Sequence, residues 1–118
     1  MSDALTLKEK REFSRAYKRG RSFVSPLLVT YIIKNNSNNL RYGITTGKKI
    51  GKAVQRNRAR RVIRAAFYML EGDIKKGYDI VFVARGKTPY VKSTDVLSCM
   101  QSHLKTAGLI IEDVKSPT

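Results

Sequence analysis

The stretch from about Ala53 to Leu70 constrains this chain most, because Ala59, Val62, Ile63, Ala66, Phe67 and Leu70 recur there at helical spacing. At 100° per residue these side chains fall within an arc of roughly 140°, the apolar stripe of a helix that must bury one side. A different periodicity flanks it. Leu40, Tyr42 and Ile44 alternate as in a strand, and Asp79-Ile80-Val81-Phe82-Val83, within a segment from Tyr78 to Ala84, is the continuous apolar run of a buried strand. Strand, helix, strand in that order predicts a β-α-β unit.

The rest of the chain supplies layers for that unit. Leu7, Phe13, Ala16 and Tyr17 are spaced for a first helix that stops at Gly20. From Ser22 to Ile33 β-branched and aromatic residues predict a covered strand, with Val29, Tyr31 and Ile33 on one face and Leu28, Thr30 and Ile32 on the other. Asn35-Asn36-Ser37-Asn38-Asn39 is a polar turn, so the Leu40 to Ile44 strand is expected to pair with the preceding one as a hairpin. After a turn at Gly86 to Pro89, Ser93 or Thr94 is positioned to cap a last helix carrying Val96, Leu97, Met100 and Leu104, with Gly108 as its stop. The tail from Glu112 is expected to fray. With 118 residues there is room for one domain, 1–118, with an ordered core of about 6–111. The order of elements predicts an α/β sandwich with helices on a sheet.

Charge narrows the function. Twenty-four Lys and Arg against nine acids give a formal net charge of +15, which self-repels unless a polyanion neutralises it. From Phe13 to Leu70 there is no Asp or Glu, whereas ordinary solvated surfaces mix both signs. Arg56, Asn57, Arg58, Arg60, Arg61 and Arg64 lie opposite the apolar stripe, and Arg56, Arg60 and Arg64 stack at i, i+4, where like charges destabilise an isolated helix. Guanidinium forks repeating at about 6 Å along a helix match phosphate oxygens. A basic loop containing Lys48, Lys49 and Lys52 leads into this face. Phe13 and Tyr17, four residues apart, share one side of the first helix near Tyr31; such a cluster is either core or a stacking platform for unpaired bases.

Signals for bond chemistry are missing. Metal-assisted phosphodiester hydrolysis wants clustered carboxylates, and the basic tract has none. Gly47 to Lys52 lacks the spacing of a phosphate-binding loop, and there is no triad material. No catalytic residue, bound metal or cofactor is expected in the protein itself. Cys99 and His103, on the last helix, make neither a disulfide nor a zinc site and are expected to be structural. No apolar run approaches the roughly 20 residues of a membrane span, and Met1 to Leu5 lacks the form of a secretory signal, so a cytoplasmic protein without membrane contact is expected.

Three stretches together carry a resemblance: Arg41-Tyr42-Gly43; Lys48-Lys49-Ile50-Gly51-Lys52-Ala53-Val54; and the run from Arg56-Asn57-Arg58 to Phe67. In this spacing they resemble the signature of the bacterial ribonuclease P protein. Phe13 to Gly20 resembles that family's first helix, and Ile80 to Arg85 the strand before its last helix. The resemblance implies an α+β, two-layer sandwich with about four strands in a mixed sheet, three helices and a left-handed β-α-β crossover, like the second domain of a ribosomal protein. It also implies an accessory protein in an endoribonuclease whose catalyst is an RNA subunit requiring Mg²⁺, acting on precursor tRNA to remove the 5′ leader, with no obligate protein partner. On the family's pattern, Lys48, Lys49, Lys52, Arg56, Asn57, Arg58, Arg60, Arg61 and Arg64 contact the catalytic RNA. Phe13, Tyr17 and Tyr31, with Thr45 at the edge, form the cleft for the leader. Two features depart from the pattern: the stretch before Phe13 carries Asp3, Glu9 and Glu12, and position 47 is Gly where relatives often have Ser. A structural rRNA-binding protein is the alternative that size and charge leave open; a free-standing metal nuclease and a double-stranded DNA binder fit less well.

Overall fold

The computed structural model describes residues 4–111. Its elements are β1 (Leu5–Thr6), α1 (Lys10–Arg19), β2 (Arg21–Ser25), β3 (Leu28–Lys34), β4 (Arg41–Thr45), α2 (Ala53–Leu70), β5 (Tyr78–Ala84) and α3 (Ser93–Thr106). They form an α+β fold with one five-stranded mixed sheet in the order β1-β4-β5-β3-β2. One strand more than expected is present: β1, a two-residue edge strand parallel to β4. The tail from Glu112 lies outside the described residues, as does Asp3.

The β-α-β unit is present as read. β4 and β5 are adjacent and parallel, and α2 joins them over the bounds that its apolar stripe indicates. The expected hairpin is not. β3 pairs antiparallel with β5, which is inserted between β3 and β4. The Asn35 to Asn39 turn therefore straddles the start of β5, held by Asn35 N–H to Gly77 O and Gly77 N–H to Asn39 O, both 3.0 Å. The physical reason is burial: β5 is covered along most of its length, and an apolar strand of that kind takes the centre of a sheet. The Ser22 to Ile33 segment is also two strands rather than one. Pro26 and Leu27 make the turn between β2 and β3, closed by Ser25 Oγ donating to Leu28 O at 3.0 Å; proline has no N–H to continue a ladder.

α2 and α3 cover one face of the sheet. Leu28, Ile32, Tyr42, Ile80 and Phe82 meet Ile63, Phe67, Met100 and Leu104 there, with the Tyr42 and Phe67 rings stacked at 4.1 Å. α1 crosses the other face, where Ala16 and Phe13 pack on Leu7, Tyr31 and Val81. Two glycines allow this approach. A Cβ on Gly20 would sit 2.5 Å from Ala16 O and 2.9 Å from Ile32 O, and one on Gly43 would sit 2.5 Å from the Phe13 ring. α3 starts one residue earlier than a Ser93 cap implies: Lys92 is the cap position, and its N–H donates to Asp95 Oδ2 at 3.0 Å.

Candidate nucleic-acid interface

Burial of Ala59, Ile63, Ala66, Phe67 and Leu70 fixes the rotation of α2 and turns its arginines away from the core. They divide into two flanks. Arg56, Arg60 and Arg64 run along the side facing the loop before the helix, half-buried. Arg56 Nη1 donates to Gly51 O at 2.9 Å, Arg60 Nη2 to Thr46 Oγ1 at 2.8 Å and Arg60 Nη1 to Asn57 Oδ1 at 3.2 Å. Arg64 reaches the Tyr42 hydroxyl, whose pKa is pushed up by burial and by its Tyr68 neighbour, the Arg64 charge opposing them. On the other flank Arg58 and Arg61 are exposed; Arg58 Nε donates to Pro89 O, and both border a groove with Val91 and Lys92.

The lysines come from the approach to the helix. Lys48 and Lys49 are exposed on a short 3₁₀ turn anchored by buried Ile50, and Lys52 is exposed at the cap of α2, where its N–H donates to Gln55 Oε1 at 3.0 Å. Gly51, at φ +131°, makes the bend between turn and helix that an L side chain would strain. Among the described residues, none of these lysines and arginines forms an ion pair with a carboxylate. The guanidiniums are held in place by backbone carbonyls and hydroxyls, which orient them and leave their charge uncompensated.

Arg41 behaves differently although it lies in the same acid-free tract. Its Nε and Nη2 grip the two oxygens of buried Asp79 at 2.7 Å each, and its Nη1 donates to Glu12 Oε2 at 3.0 Å. Glu12 also accepts the Lys8 and Glu9 N–H groups through Oε1, both at 2.9 Å. Those backbone bonds, then the Arg41 charge, hold the Glu12 carboxyl below its ordinary range. This guanidinium therefore locks α1 onto the sheet, and the acids that neutralise it lie outside the tract in sequence.

The fold brings Phe13, Tyr17, Tyr31 and Thr45 to one place. The Tyr17 and Tyr31 rings meet edge to face at 4.9 Å, and Tyr17 Oη donates to Thr45 Oγ1 at 3.3 Å. Phe13 is half-buried over Gly43, whereas Tyr17 is 41% exposed and forms the open lip. Beyond it, strand register sets Val24, Val29, Val83 and Thr45 in one row across the sheet. Val24 is 66% exposed. These valines complete a shallow apolar floor that spacing did not identify; strands apolar on both faces, with only one helix available to cover the second, were the available signal. His103 is buried, with Thr30 Oγ1 2.8 Å from Nδ1, and Cys99 is half-buried at the margin of the main core. Among the described residues no group of three His, Cys, Asp or Glu could hold a metal ion, and no helix is long and apolar enough to cross a membrane.

The chain and its fold are similar to known proteins. The family model described as Ribonuclease P matches residues 1–108. The chain belongs to the ribonuclease P protein family. Among similar ribonuclease P protein components, one from Clostridium botulinum is 40% identical over 104 residues, covering 87% of this chain and 94% of that protein. One from Clostridioides difficile is 41% identical over 106 residues, covering 89% and 93%. Two solved ribonuclease P proteins share the fold. That of Staphylococcus aureus superposes with a TM-score of 0.79 at 30% identity, covering 91% of this chain and 98% of its own. That of Thermotoga maritima gives 0.76 at 32% identity, covering 92% and 98%. The relatives at this level of identity are protein components of ribonuclease P.

Proposed function

We propose that this chain acts as the protein subunit of a ribonuclease P ribonucleoprotein, gripping its catalytic RNA through α2 and the loop before it and holding the 5′ leader of precursor tRNA beside α1. The observation that carries this reading is the set of oriented cations, Lys48, Lys49, Lys52, Arg56, Arg58, Arg60, Arg61 and Arg64, that no carboxylate among the described residues neutralises. Asn57, between them, adds a neutral donor and acceptor. Phosphates are the ligand that guanidinium forks at helical spacing fit. Tyr17 and Tyr31, over the row of Val29, Val83 and Thr45, offer faces on which unpaired bases stack, with Phe13 as the support beneath.

In this reading the RNA performs the cleavage with Mg²⁺, and the protein contributes binding alone. Cationic side chains close to the RNA share the screening of phosphates with counterions, so reconstituted enzyme works at lower Mg²⁺ than RNA alone. The work is done in the cytoplasm, without a membrane or an obligate protein partner, by one RNA-binding domain. A structural rRNA-binding role draws no support from any feature described above.

The test is reconstitution with the cognate RNA. Arg60→Ala with Arg64→Ala should weaken RNA binding and flatten its salt dependence, by about 0.7 to 0.9 in log–log slope for each phosphate that the variant no longer neutralises. An unchanged slope overturns the grip assigned to α2. Tyr17→Ala should weaken binding of precursor tRNA and spare tRNA that lacks a leader; equal losses for both overturn the cleft assignment.

A further inference from the structure

Tyr90 is 69% exposed, more than any other aromatic ring among the described residues. It is nevertheless held on a rigid support. The 3₁₀ turn Thr88–Tyr90 is fixed by Thr88, whose Oγ1 donates to Leu27 O and accepts from Arg85 N–H, both at 2.8 Å. Thr88 and Pro89 are buried, the Tyr90 N–H donates to Lys87 O at 3.0 Å, and Arg58 of α2 donates to the carbonyl of Pro89. A ring that nothing covers, mounted on a turn this well anchored, serves no packing purpose within the chain.

Its surroundings are cationic. Lys87 and Lys92 flank it in sequence and are exposed, and the groove beside the following residue, Val91, is bordered by Arg58, Arg61 and Lys92. The acid nearest in sequence, Asp95, accepts the Lys92 N–H and so caps α3. Continuity decides the partner: Arg58 and Arg61 are the outer flank of the same helix that carries the proposed RNA grip. A flat aromatic face bordered by free cations is the combination that takes a base on the ring and phosphates on the charges.

We infer that Tyr90, with Lys87, Lys92, Arg58 and Arg61 around it, is a second stacking site that receives an unpaired nucleotide of the RNA bound by α2, on the flank of that helix away from the lysine loop. This rests on the proposed RNA-binding role of α2 and extends it by a base contact outside the helix.

The chain has no tryptophan, so Tyr90→Trp supplies a single reporter at this position. On adding full-length ribonuclease P RNA transcript, its emission should be quenched and shielded from iodide. Tyr90→Ala should lower affinity for that RNA by roughly 5- to 100-fold with an unchanged salt slope, while Tyr90→Phe keeps it. Chemical probing should show one unpaired nucleotide protected by the wild type and reactive with Tyr90→Ala. A tryptophan that stays open to iodide in the complex, together with wild-type affinity for Tyr90→Ala, overturns the inference. If Arg60→Ala with Arg64→Ala lowers affinity in the same assay, the failure belongs to Tyr90 alone; if that pair also has no effect, the reading of α2 has failed.

Discussion

Asp79 is the most buried acid described, 1% exposed, and its carboxylate is gripped by Arg41 through two parallel hydrogen bonds and accepts a third from Asn35 Nδ2 at 2.9 Å. Removing one member of such a pair leaves the other desolvated, which costs more than the pair contributes when intact. Arg41→Ala should therefore lower stability by about 3 kcal/mol in urea titrations, and Asn35 limits the loss by keeping one hydrogen bond. His103 is a second buried polar group, with Nε2 unpartnered. Burial lowers its pKa below the ordinary histidine value of 6.5. The unfolded chain then binds the proton first, so stability is complete above about pH 6.5 and falls as pH drops through the folded value. Glu12 acts in the same direction at lower pH: its carboxyl is held down in the fold, so its contribution is lost on acidification below the ordinary carboxylate range. Replacing His103 with Gln, which keeps a partner for Thr30 and never charges, should abolish the upper part of the acid loss in thermal melts run from about pH 7.5 to about 3 and leave the lower part, where Glu12 titrates.

Among the elements, α1 sets the cleft. Its distance from the sheet is fixed by Ala16, 0% exposed, and by the bare backbone of Gly43 under Phe13. Gly43→Ala should push the Phe13 ring aside, costing about 1 to 3 kcal/mol in denaturant melts, and should weaken leader binding more than binding of the catalytic RNA. The bounds of α2 were readable because an amphipathic stripe records both its extent and its buried side. The neighbours of β4 were not: alternation at Leu40, Tyr42 and Ile44 tells which face is covered and says nothing about which strand lies alongside. That missing information matters for the cleft. Tyr31 and Thr45 lie on strands two spacings apart, about 10 Å across the sheet, and in successive rows, since Val81 of β5 stands between Tyr31 and Gly43 and Val83 between Val29 and Thr45; Tyr17 spans the gap. Spacing placed Phe13 and Tyr17 on one face, but only the inserted strand brings Thr45 and the valine row under them. Arg41 shows the same limit for charge, since the carboxylates that neutralise it belong to α1 and β5.

Over the whole molecule, charge is spread on both sides of the sheet. Opposite the α2 face, Lys10, Arg11, Arg15, Lys18 and Arg19 surround a shallow depression on α1, where Arg11 pairs with Glu9 at 2.7 Å. A formal charge of +15 on one small body repels itself. Raising NaCl from about 20 to about 200 mM should therefore shift urea unfolding of the free protein to higher denaturant, since the Debye length shortens to near 7–8 Å, while the same change weakens its complex with RNA. Opposite responses in the two assays are the expected outcome; a free protein destabilised by salt would show that self-repulsion is not what limits it. The insertion of β5 has a consequence for biosynthesis. A nascent polypeptide that has emerged only as far as Gly77 holds β3 and β4 with bare ladders and no strand to fill the space between them. Sheet closure waits until β5 has left the ribosome, so a pause before that point leaves open edges in need of chaperone protection.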